Sequence, residues 1–299
     1  MPLKEQFIYY FLCGLIRGLG LIPVKTREYL ASQIARLWFN LDKRHRSLTM
    51  KNLSMVFDKK SKTEIRDLAR DVFKQWILVL FELGWGFSLD KRNFGKYADI
   101  YGWEHVMAAH KKKKGILFCT GHLGNWEIMI AGFQKMKAPI NVVYRPIDFK
   151  PFDRFINESR TRLGLKLIPV RNAMEKITKT LADREMIAML IDQNANYSNG
   201  VFVDFMGHEA CTSQGMARLA LATGASVVPG FMVRDKGRYR MEFLPEIQLI
   251  RTGDYMEDIQ INTARYNKAV ADYSLKYANQ WFWLHNRWKT KRFSAWPKQ

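Results

Sequence analysis

A histidine and a glutamate close the stretch Gly121-His122-Leu123-Gly124-Asn125-Trp126-Glu127, directly after the apolar run Ile116–Cys119. An imidazole takes up a proton near neutral pH, so His122 can act as general base toward a weakly acidic hydroxyl. Glu127 is spaced to hold the other ring nitrogen and stabilise the imidazolium that forms. A serine-protease triad divides the labour in the same way. No enzyme nucleophile lies alongside here, so the hydroxyl to be activated belongs to a substrate. Gly124 lets the backbone approach a ligand. A helix opening at Asn125 presents amides and a positive dipole end to a developing anion.

Two more apolar runs end in groups that can work with this pair. Ile140–Tyr144 is followed by Arg145, whose planar fork suits an anionic oxygen, and Met186–Ile191 is followed by Asp192 and Gln193. In open α/β sheets ligands bind outside the carboxyl ends of strands, so three strands deliver polar groups to one rim. Residues 193–211 read as a long irregular stretch, the kind of segment that forms lids or binding loops. Near the C-terminus Trp281, Trp283, His285, Arg287, Trp288 and Lys289 mix indoles with cations. Such a cluster suits lipid headgroups and phosphates, and interleaved aromatics can also stack bases.

The elements that position these residues follow from periodicity. Short apolar runs at Ile116–Cys119, Ile140–Tyr144, Leu165–Val170, Met186–Ile191 and Ser226–Met232 alternate with helical stretches at Trp126–Met136, Phe149–Leu163, Ala173–Arg184 and Ser213–Thr223. This alternation predicts an α/β fold, a mostly parallel sheet flanked by helices. Arg238–Phe243 adds an antiparallel edge, and a last helix spans Tyr255 to Asn279. Before residue 96 the chain reads as helical. Ser61-Lys-Thr-Glu64 is a capping box, followed by an apolar stripe from Ile65 to Leu80. The expected division is an N-terminal membrane anchor or interfacial helix over 1–24, a helical segment packed on the core over 25–95, and an α/β domain over 96–299.

Phe7 to Ile16 is unbroken by charge, and Arg17 interrupts before Pro23. A span needs about 20 residues, so an interfacial helix with Arg17 reaching the headgroups is expected. The chain of 299 residues carries 48 Lys and Arg against 28 Asp and Glu, a net charge of +20. That balance implies an anionic partner. Aromatic residues at 13%, nine of them Trp, favour a membrane interface. Ten Lys/Arg against three acids between Lys25 and Lys62 put the rest of the chain in the cytoplasm if the first helix spans. Cys13, Cys119 and Cys211 form no C-x-x-C pair and fit reduced thiols. The histidines show no metal spacing. No Walker loop, strand-following G-x-G-x-x-G or G-x-S-x-G elbow occurs, which speaks against nucleotide binding and ordinary serine hydrolysis.

His122-Leu-Gly-Asn-Trp-Glu127 matches the H-x4-D/E motif of glycerolipid-type acyltransferases. With Tyr144-Arg145-Pro146, Asp192-Gln193, Phe205-Met206-Gly207, Thr212 and Gln280–Lys289, the chain resembles the branch that holds the lipid A late acyltransferases and bacterial mannoside acyltransferases. It departs at Met206 and Asn286, where the branch often has Phe and Arg. The resemblance implies transfer of a fatty acyl chain from an acyl carrier protein thioester to a hydroxyl of a phosphorylated glycolipid. The setting would be the cytoplasmic face of the inner membrane, with an anionic membrane surface as partner, no cofactor and no nucleic acid. His122 and Glu127 would be catalytic. Arg145, Gly124 and Asn125 would bind the oxyanion or a phosphate. Asp192, Gln193, Phe205, Thr212, Trp281, His285 and Arg287 would contact substrate. A mannosylated acceptor or an acyl-coenzyme A donor is the alternative, and a non-enzymatic basic protein bound to membrane or nucleic acid a distant one.

Overall fold

The computed structural model describes residues 2–171 and 173–292. At the sheet's centre β2 (Ile116–Thr120) is buried along its whole length. It lies between β8 (Ser226–Asp235) and β5 (Met186–Leu190), parallel to both. Beyond β5 come β3 (Ile140–Tyr144) and β4 (Lys166–Pro169), again parallel. On the other side β9 (Arg238–Phe243) runs antiparallel to β8, as its sequence suggested. It is not the edge, because β1 (Ala98–Tyr101) pairs outside it and completes a seven-stranded sheet. The expected mostly parallel α/β sheet is thus present. Its period of two splits β2 between two cores. Ile116 and Phe118 face Phe133 and Phe243, while Leu117 and Cys119 face Ile187 and Val270.

Helices cover both faces. The chain enters through α1 (Leu3–Gly20), α2 (Val24–Leu41), α3 (Lys43–Val56) and α4 (Lys62–Gly86). The capping box forms as expected. Ser61 N–H donates to Glu64 at 2.8 Å, and Glu64 N–H donates to Ser61 Oγ at 3.3 Å. Behind it Ile65, Ala69, Val72, Phe73 and Ile77 are buried. No single described helix is long and apolar enough to cross a membrane, but α1 and α2 pass that test as a pair bent by 117°. α1 crosses α4 at a glycine contact, where a Cβ on Gly84 would lie 2.1 Å from the Ile16 carbonyl oxygen. Between the strands run α5 (Trp103–Lys111), α6 (Met129–Lys135), α7 (Lys150–Arg162), α8 (Ala173–Ala182) and α9 (Gly215–Thr223), and α10 (Tyr255–Lys276) follows β9.

The stretch expected to be irregular is instead mostly a hairpin of β6 (Gly200–Phe205) and β7 (His208–Ser213). Its two-residue turn places Met206 at φ 57° and Gly207 at φ 82°. Two consecutive left-handed residues match the twist of a hairpin. Glycine adopts that conformation freely, whereas methionine rarely does.

Candidate active site

β2 ends at Thr120, and its partner β5 ends at Leu190 in direct register. The chain continues two residues past each end, bringing His122 and Asp192 together. The His122 Nδ1–H donates to Asp192 Oδ1 at 2.8 Å, and the His122 amide donates to Oδ2 at 2.8 Å. The Trp281 indole N–H adds a third bond to Oδ2 at 2.8 Å. A carboxylate only accepts, so this arrangement puts the ring proton on Nδ1 and leaves Nε2 with its lone pair. The Gln193 side-chain amide lies 3.4 Å from Nε2. Asp192 is 1% exposed. Burial alone would raise its pKa, but the His122 charge and the donated hydrogen bonds outweigh burial and hold the carboxyl below its ordinary value.

Glu127 does not hold the imidazole. Its carboxylate accepts from Arg160 of α7, with Nε at 3.0 Å and Nη2 closer, and from the Trp126 indole at 3.0 Å. The chain turns through a short 3-10 segment, Trp126–Ile128, which carries Glu127 away from Nδ1. Burial disfavours the charge on Arg160, but Glu127 more than compensates and raises its pKa.

The expected anion site at Gly124 and Asn125 is also corrected. The Gly124 amide donates to the Gln280 carbonyl at 3.0 Å, and the Asn125 amide to the Met232 carbonyl at 3.1 Å. Neither is available to a ligand. Gly124 adopts φ 60°, and a Cβ there would sit 2.0 Å from the Met232 oxygen. Its glycine therefore serves the approach of β8, not of a substrate. The Asn125 side chain donates to the buried Glu82 of α4 at 3.0 Å.

His122, Glu127, Arg160, Arg145 and Gln193 line one cleft of about 450 Å³, walled by Trp76, Leu80 and Leu83 of α4 and by Phe152 and Ile156 of α7. Trp126 packs edge-on against the imidazole, with centroids 5.0 Å apart, and the Phe282 ring lies at 6.1 Å. A narrower apolar cavity of about 50 Å³ adjoins the cleft. The two share Trp126, Glu127, Val142, Arg160 and Leu190, and the smaller one runs inward to Phe118, Phe133 and Ile140. The Glu127–Arg160 pair therefore stands where the cleft meets the apolar pocket. Arg145 sits at the mouth, its side chain 80% exposed and 3.7 Å from Asp148.

Phe205, Thr212, Trp281, His285 and Arg287 stand behind Asp192 instead of lining the cleft. Arg287 is fully buried and donates to the carbonyls of Gln193 and Cys211, to Thr212 Oγ1 and to Asn267. Its guanidinium lies 4.7 Å from the Phe205 ring centroid. Burial lowers its pKa to about 10. His285 Nε2 accepts the Asn194 amide at 2.9 Å. These residues clamp the β5 exit and the hairpin to the C-terminal segment. Arg160 was not foreseen. The only signal was its place on the amphipathic α7, one residue beyond the buried Ser159.

A solved structure, the 1-acyl-sn-glycerophosphate acyltransferase PlsC from Thermotoga maritima, aligns over 86% of this chain and 99% of its own, at 12% identity and a TM-score of 0.40. A phosphatidylinositol mannoside acyltransferase of Mycolicibacterium smegmatis is 24% identical over 205 residues, 67% of this chain and 66% of that protein. The lipid A biosynthesis lauroyltransferase of Escherichia coli is 27% identical over 274 residues, 90% of this chain and 87% of its own. The family model for bacterial lipid A biosynthesis acyltransferases matches residues 3–290, so this chain, with its His122-x4-Glu127 motif at the head of the cleft, belongs to that family.

Proposed function

We propose that this protein moves a fatty acyl chain from an acyl carrier protein thioester to a hydroxyl of a phosphorylated glycolipid, at the cytoplasmic face of the inner membrane. The observation that carries this reading is His122 Nε2, turned to the cleft beside an apolar pocket while Nδ1 is held by buried Asp192. Nε2 takes the proton of the acceptor hydroxyl as its oxygen attacks the thioester carbonyl. Asp192 stabilises the imidazolium that results. The tetrahedral oxyanion is met by the Gln193 amide, 3.4 Å from Nε2, and by the Arg160 guanidinium on the wall of the same cleft. Collapse expels the thiolate, and the imidazolium returns the proton to it. The apolar walls of the cleft, with the pocket that adjoins it, take the acyl chain, and Arg145 at the mouth meets incoming anionic groups. Glu127 keeps Arg160 charged and in place. The +20 charge draws in both an acidic carrier and a phosphorylated lipid.

The test is acyl transfer by purified variants. His122→Ala is expected to lower kcat/KM by about 10²–10⁴. Asp192→Asn should lower it by roughly 10² or more, because the imidazolium loses its counter-charge. Transfer within tenfold of the parent for either variant overturns the mechanism. The mannoside acyltransferase among the relatives favours a mannosylated acceptor as a second reading. Mass spectrometry of lipids from cells with and without the protein separates the two.

A further inference from the structure

α4 borders two cavities. Trp76 to Leu83 wall the catalytic cleft, and the helix runs on from Leu83 into the wall of a second, of about 740 Å³, closed by α1 on one side and the end of α7 on the other. The polar groups in the second cavity are Arg17, Arg162, Ser88, Gln134 and Asp90, with the indole of Trp85 beside them. Neither arginine has a carboxylate partner among the described residues, and Arg162 is steered by the Phe87 carbonyl at 3.4 Å. Asp90 is already neutralised by Arg92, at 3.0 and 2.9 Å, and Gln134 donates to the Leu163 carbonyl. Arg17 is the one charged residue between Gln6 and Val24. The apolar face that α1 leaves exposed, Leu3, Phe7 and Phe11, leads toward the cavity. On that side Gly14 and Gly18 leave open space where side chains would otherwise stand.

We propose that this second cavity binds a phosphate group carried by the acceptor amphiphile, held between Arg17 and Arg162 while the acceptor hydroxyl reaches His122. This rests on the acyl-transfer reading above. The stretches of α4 that wall the two cavities, Trp76–Leu83 and Leu83–Trp85, have centres four to five residues apart, or roughly 7 Å at the rise of an α-helix. A phosphorylated sugar spans such a gap. Two guanidinium groups match the charge of about −1.5 to −2 on a phosphomonoester, and their forked donors match its oxygens. A neutral headgroup would leave both charges unanswered.

The experiment compares a phosphorylated acceptor with its dephosphorylated counterpart, in neutral detergent micelles with acyl carrier protein thioester as donor. Arg17→Gln/Arg162→Gln is expected to raise KM for the phosphorylated acceptor at least tenfold and KM for the dephosphorylated one less than twofold. Gly18→Leu fills the cavity without removing charge and should raise the phosphorylated-acceptor KM in the same direction. Lys111→Gln removes a remote surface charge and should leave the ratio of the two KM values as in the parent. Equal changes for both acceptors, or none, overturn the site. If the parent transfers to neither acceptor, the acyl-transfer reading itself fails. Equilibrium binding of the phosphorylated acceptor to parent and double variant then decides the site alone, with at least tenfold weaker binding by the variant expected and equal binding overturning it.

Discussion

Asp192 takes the role that the sequence spacing assigns to Glu127. Five residues separate His122 from Glu127, and proximity along the chain made them a natural pair. The 3-10 turn at Trp126 points them to different partners, and the imidazole's support comes from 70 residues away. What could be read was that both His122 and Asp192 end apolar runs at one rim. What could not was that β2 and β5 are neighbours in register, since nothing local fixes strand order. Arg287 was hidden for a related reason. An arginine among tryptophans looks like a headgroup contact, and only the tertiary structure shows every donor direction turned inward. The same buried layer makes a prediction about acid. Burial holds His285 below the ordinary imidazole value despite the pull of Asp192, and its Nε2 must stay unprotonated to accept the Asn194 amide. In the unfolded chain the ring titrates at about 6.5. Stability from this group is therefore complete above that pH, and it is lost as pH falls from there through the lower folded value. The urea midpoint of the parent should drop between pH 7 and pH 5. His285→Gln, which can still accept the amide hydrogen bond, should drop less, and equal slopes would refute this assignment.

At the scale of elements, α4 ties the N-terminal helices to the loop that carries His122 and Asn125. Its Glu82 accepts from Arg234 of β8, from the Tyr239 hydroxyl of β9 and from Asn125, while Arg234 also reaches Gln75. Burial opposes the charge on Arg234, but Glu82 overrides it and raises the pKa, and Tyr239 is pushed far up by the same burial. Removing one member strands a buried charge. Glu82→Met or Arg234→Met should cost about 3–5 kcal/mol of unfolding free energy. The double substitution should cost less than the sum of the two by at least about 1 kcal/mol, read from denaturant midpoints. Simple additivity would show that the pair does not act as a unit. Helices and central strands were legible because their apolar periods are long. The hairpin was not, because the usual Asn-Gly turn signal is replaced by Met206-Gly207. β1 was missed as well, being a four-residue edge strand with only Ala98 buried.

For the molecule as a whole, α1, α2 and the turn between them leave Leu3, Phe7, Phe11, Leu21, Val24 and Leu41 exposed. Together with the net charge of +20, this face suits a bilayer of anionic lipid. Phe7→Ser/Phe11→Ser should weaken co-sedimentation with vesicles of phosphatidylglycerol and phosphatidylcholine at least about tenfold, since each buried Phe contributes roughly 1.5–3 kcal/mol. Unchanged partition would rule this apolar surface out as a membrane contact. Order of synthesis carries a further consequence. The loop from His122 to Gly124 is held by carbonyls and amides of Gln280, Trp281 and Phe282, and Arg287 secures the exit of Asp192 from the far side. In a growing chain His122 emerges long before the residues that brace its loop. A prematurely released fragment ending before Gln280 carries the histidine without the neighbours that aim it. Acyl transfer should therefore depend on the Gln280–Arg287 segment being docked, however complete the sheet that carries His122.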